Sequence, residues 1–172
     1  MKASISLLWI IGLLSLAEVR GQTYPDLNEL TGYSIKVFYS SGAETRARVI
    51  TERCEKTITY INVLVGFTPK VSLYILNPEH WKKYATFPVY GMPHYPDHER
   101  LVIASQDNDF WKSFIPPLDQ LPKELADQVK KAYSLEDGTL SMMGFFDLLA
   151  LHELGHGFHE QGGLTMQRLW MQ

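Results

Sequence analysis

Toward the end of this 172-residue chain, His152, Glu153 and His156 stand in the run His-Glu-Leu-Gly-His. Residues four apart on an α-helix lie on one face, about 6 Å apart along the axis, so two imidazoles at this spacing can share one ion. Zinc accepts neutral histidine nitrogens in a near-tetrahedral arrangement, and a catalytic site keeps one position for water. The ion lowers the pKa of that water toward about 7, and a neighbouring carboxylate can take its proton during attack and return it to the leaving group. His152 and His156 are therefore the candidate metal ligands, Glu153 the candidate general base, and Zn2+ the expected cofactor. The competing reading is a set of polar residues on a solvated helix. At this histidine and glutamate content, accident supplies only on the order of 0.01 such motifs per chain, so the metal reading is preferred.

The helix that must carry these residues begins near Ser141 or Thr139, either of which can cap it. Met142, Phe145, Phe146, Leu149 and Leu151 make it apolar enough to be buried on more than one face, which predicts that the histidines look into an interior or a cleft. Gly162 and Gly163 stop it, and Leu164 to Gln172 starts a further helical segment that the chain does not complete.

The run from Leu148 through His156 resembles the zincin metallopeptidases, and within them the gluzincin-like branch. The resemblance is strong over about the final thirty residues; upstream only the order of elements agrees. It implies peptide-bond hydrolysis, a peptide or protein substrate, His152 and His156 as zinc ligands, Glu153 as general base, and an edge strand that aligns extended substrate through backbone hydrogen bonds. The related metzincin pattern is disfavoured, because His159 and Gly162 stand where it needs a glycine and then a histidine. Gluzincins take the third ligand from a glutamate on the following helix, whereas no acidic residue follows Glu160 here. The expectation is a chain truncated after the motif helix, with the third ligand beyond Gln172; His159 and Glu160 are weaker alternatives. A catalytically degenerate zincin that binds metal or peptide without turnover is the alternative function, and a metal-free exported binding domain is the third.

Upstream, Tyr33 to Ser40 is rich in β-formers and reads as a strand. Ala47, Ile50, Cys54, Ile58, Ile61 and Val65 recur at spacings of three and four and predict a helix that Gly66 and Pro69 end. Val71 to Leu76 reads as a buried strand, making a crossover unit if the two strands are parallel neighbours. Asn77 and Pro78 look like the cap and first residue of a short helix through Tyr84. Pro88 to Ser105 reads as a hairpin whose first arm, holding Pro93 and Pro96, lies at the sheet border. Asp107 to Pro117 is an aromatic loop or short helix. Leu121 to Tyr133 reads as a helix with Leu125 and Val129 inward, and a turn follows at Glu136 to Gly138. The fold expected is α+β, a single zincin-like domain over 22–172 with a mixed sheet, an edge strand and a buried motif-bearing helix.

Ahead of that domain, Lys2, the apolar run Ile5 to Leu16 and small residues to Gly21 have the layout of a signal peptide over 1–21. The polar stretch from Gln22 to Thr31 then reads as a lead-in. Export to a secreted or periplasmic location is the consequence, with no stable membrane insertion after cleavage. The chain has a formal net charge of −3 and no basic stripe interleaved with aromatics, which speaks against nucleic acid. Its single cysteine, Cys54, excludes an internal disulfide and fits a small buried apolar residue better than a nucleophile.

Several other residues have structural readings that outweigh chemical ones. Gly155 is expected to admit a closely packed strand. His94, His98, Tyr90 and Tyr95 are read as exposed turn residues that otherwise border the cleft. Phe110, Trp111 and Phe114 are read as core, and Asp147, on a different face from His152, as solvated or capping.

Overall fold

The computed structural model describes residues 24–163. The proposed signal peptide and the segment from Leu164 to Gln172 lie outside these residues. The order of elements is β1 (Asn28–Leu30), β2 (Lys36–Tyr39), α1 (Glu44–Val65), β3 (Ser72–Leu76), α2 (Pro78–Tyr84), β4 (Arg100–Ala104), α3 (Asp109–Lys112), a short 3-10 turn at Leu118–Gln120, α4 (Lys123–Tyr133) and α5 (Met143–Gln161). The architecture is α+β, with one mixed four-stranded sheet in the order β1-β2-β3-β4.

Strands β2, β3 and β4 run parallel, and β1 runs antiparallel to β2 at one border. The register places Val37, Leu73 and Leu101 side by side, and the alternation of side chains along each strand then assigns the two faces. On one face, Val37, Leu73, Ile75, Leu101 and Ile103 meet Ile50, Cys54 and Ile58 of α1 and Ala150, Leu154 and Phe158 of α5. On the other, Tyr74, Leu76, Val102 and Ala104 pack with Trp81, Trp111, Met142 and Phe146. Both faces of the parallel strands are covered, which is why β3 and β4 read as continuous apolar runs and not as alternating ones.

The local signals that set these elements are visible. The Asn77 side chain accepts a 2.8 Å hydrogen bond from the His80 amide, and Pro78 takes the first helical position of α2, where its missing N–H costs nothing. Gly66 ends α1 in the left-handed conformation at φ 69°, with its N–H on the Asn62 carbonyl. Gly91 is tied more tightly still. Its φ is 112°, and a Cβ there would stand 2.7 to 2.8 Å from the Asn108 and Trp111 side chains. Its carbonyl accepts from the buried Trp111 indole at 2.7 Å.

Three expectations change. The stretch read as a lead-in contains β1, in which Leu30 is buried beside Val37; three residues are too few to show an alternating pattern. The hairpin over 88–105 shrinks to one antiparallel bridge, His94 to Val102, because Pro93 and Pro96 flank His94 and cannot extend the ladder. The second arm, β4, instead pairs in parallel with β3. In α4, Leu125 is exposed and Ala126 is the residue that packs inward. No helix among the described residues is long and apolar enough to cross a membrane.

Candidate functional site

Helix α5 starts where Ser141 Oγ accepts a 3.1 Å hydrogen bond from the Met143 amide, so the expected cap residue is used although it stands just ahead of the helix. Phe146, Ala150, Leu154 and Phe158 recur every four residues and bury one side of the helix against the sheet and α1. That anchoring turns the opposite side outward. Phe145, Leu148 and His152 are exposed along it, so the motif helix is buried on one face and open on the other, and His152 does not look into an interior.

On the open side, His152, Glu153 and His156 each offer a ligand atom within 4.8 Å of the others. The two imidazole rings have centroids 5.0 Å apart and stand nearly perpendicular, at 88°. This separation is what one helical turn dictates, and it lets ring nitrogens converge on a single point. The two imidazole nitrogens are donors that suit zinc, and the Glu153 carboxylate stands beside them where a base is needed. Among the described residues no other His, Cys, Asp or Glu joins the group, His159 and Glu160 included.

One flank of the group is closed by the segment from His94 to His98. Glu153, Gly157 and Glu160 form a stripe along α5 at spacings of four and three, and this stripe runs beside that segment. Tyr95 lies against Gly157, where a Cβ would come within 3.0 Å of the Tyr95 hydroxyl. The hydroxyl is buried without a hydrogen-bond partner, and burial pushes the phenol's pKa well above its ordinary value. His98 Nδ1 lies 3.1 Å from Glu160 Oε2, both groups being well exposed. Gln161 fastens the end of the helix: its amide oxygen accepts from the Lys70 N–H at 2.8 Å, and its amide nitrogen donates to the carbonyls of Lys70 and His98.

His94 is committed elsewhere. Its Nδ1 pairs with the Met92 carbonyl at 2.8 Å, and its Nε2 accepts from the amides of Thr86 and Phe87 at 3.2 Å each. Acting as donor at Nδ1 and acceptor at Nε2, it is held as one neutral tautomer. Burial lowers its pKa, against the opposing influence of the Met92 carbonyl and the Glu153 charge. His94 is therefore a half-buried structural residue near Glu153, neither an exposed turn residue nor a third ligand.

Comparison of the chain with protein-family models, curated proteins and solved structures gives no match. The kinship suggested by the motif thus stands on His152, Glu153, His156 and their helix alone.

Other expected roles sort out in the structure. Cys54 is fully buried and its thiol is pushed up to about 12, chiefly by desolvation, which suits a core residue and not a nucleophile. Trp111 is core, stacked on Phe146 at 5.0 Å and 12°, while Phe114 is half exposed. Gly155 meets nothing within 4 Å, so the close approach attributed to it belongs to Gly157, two residues on. Asp147 is neither solvated nor capping: it is buried, with its two oxygens paired to Arg46 at 2.7 Å and Arg53 at 2.9 Å. The signal for that network was present, since Arg46 and Arg53 lie seven apart and so share one face of α1.

Proposed function

We propose that the chain is a zinc-dependent hydrolase, with peptide bonds the favoured substrate and Glu153 the general base. The observation that carries this reading is the convergence of His152, Glu153 and His156 within 4.8 Å on the open face of one helix. When bound there, zinc would supply Lewis acidity and acidify a water toward neutral pH. His152 and His156 would hold the ion, and Glu153 would accept a proton from the attacking water and return it to the leaving amine. An exported, secreted or periplasmic location accords with the first 21 residues.

A second reading has its own support. The exposure of His152 and the two-histidine donor set among the described residues favour a zincin-like domain that binds metal or peptide without turnover. Peptide cleavage by the zinc-loaded chain, compared with Glu153→Gln, tests the first reading against the second. Loss of cleavage with retained zinc supports the hydrolase. Zinc binding with equal, background cleavage in both proteins supports the binding domain.

A further inference from the structure

The outward stripe of α5 extends beyond the metal-binding group. Phe145, Leu148, His152 and His156 follow one another at spacings of three, four and four, so they line one side of the helix over about 16 Å. Phe145 is 42% and Leu148 65% exposed. Phe145 and Leu148 line a cavity with Tyr133 and Leu135, and the two-histidine donor set beside them is, among the described residues, short of a full tetrahedral shell.

We infer that a second copy of this chain completes the site: one divalent zinc is shared by His152 and His156 of one copy and the same two histidines of the other, in a two-fold metal-bridged dimer. This rests on the zinc reading proposed above and adds a partner to it. Four imidazole nitrogens from two helices make a closed tetrahedral shell, and a two-fold axis through the ion brings the same patch of each copy together. The approach of two copies brings two Glu153 carboxylates close together, a repulsion that a dication between them cancels, so association depends on the metal. Leu148, one turn before His152, leaves water as the helices meet, which adds an apolar contribution.

The dimer differs from the hydrolase in what it leaves open. A shell filled by four histidines has no position for water, so the bridged form is a resting state and the monomer carries the hydrolytic arrangement. High protein concentration or scarce zinc favours bridging, because each ion then serves two chains.

Sedimentation velocity of the full chain, run with increasing zinc alongside a metal assay of the sedimenting species, tests this directly. The expected result is a doubling of the 19.7 kDa mass at one zinc per two chains, reversed by a chelator. His152→Ala, at an exposed position where the fold does not depend on the side chain, should remove the dimer. Leu148→Glu should weaken dimerisation at least tenfold while zinc binding by the monomer persists. One zinc per chain with no change in mass overturns the shared site and leaves the zinc reading standing. Absence of zinc at any concentration overturns both.

Discussion

Asp147 and Arg46 form a buried 2.7 Å ion pair that joins the motif helix to α1, on the side of α5 facing away from His152. Arg53 closes on the second carboxylate oxygen, and Arg46 also donates to the Ala104 carbonyl at the end of β4. One carboxylate thus ties α5, α1 and the sheet together, and it fixes which face of α5 is left for the histidines.

Removing one member of a buried pair leaves the other charge without compensation. Asp147→Ala should lower stability by roughly 3 to 5 kcal/mol in urea unfolding. Zinc affinity of the folded protein should hardly change, since the carboxylate touches neither histidine. A loss below about 1 kcal/mol would show that the pair contributes no more than a surface ion pair.

Gly157 and Gly155 should respond oppositely to alanine. Gly157→Ala drives a methyl against the Tyr95 hydroxyl and should cost about 1 to 3 kcal/mol. Gly155→Ala meets open space in mid-helix and should stabilise by roughly 0.5 to 1 kcal/mol. Tyr95→Phe removes both the clash and a buried hydroxyl that has no partner, so the Tyr95→Phe, Gly157→Ala double variant should recover most of the loss. Thermal unfolding of the four proteins checks this, and equal melting temperatures for the two alanine variants would contradict it.

How far the sequence speaks depends on how local each cause is. Asn77 with Pro78, and Gly66 after the α1 periodicity, are signals within a few residues, and α1, β3 and α2 lie where they point. Strand β1 owes its existence to Val37 and its neighbours, so nothing within Asn28 to Leu30 announces it. Periodicity tells which residues share a face but not which face is covered, and so the spacing points Leu125 inward although Ala126 packs there. For the same reason the motif could be placed on a helix from its own residues, whereas its outward aspect follows from Asp147, Leu154 and Phe158 meeting partners about a hundred residues away.

His94 should make the fold sensitive to acid. Its pKa in the folded chain lies below the ordinary histidine value of about 6.5, so the unfolded chain takes up the proton first. Its stabilising contribution is complete above about pH 6.5 and is lost as the pH falls from there toward the folded-state value. Urea unfolding at pH 7.5 and 5.5 should show a larger drop for the parent chain than for His94→Gln. Equal drops would remove His94 as the cause.

The motif variants separate binding from chemistry. His152→Ala and His156→Ala should lose both zinc and peptide cleavage, while Glu153→Gln should retain zinc and lose about 100- to 10,000-fold in cleavage rate. A Glu153→Gln protein that cleaves as fast as the parent would remove Glu153 as general base.

All of the chemistry begins with metal at one helical turn. Anomalous diffraction at the zinc edge, from crystals of the full chain grown with zinc, measures it most directly. The expected result is a peak about 2.0 to 2.1 Å from one ring nitrogen each of His152 and His156. Crystals grown with zinc that show no peak there, and imidazoles turned apart, would contradict the account.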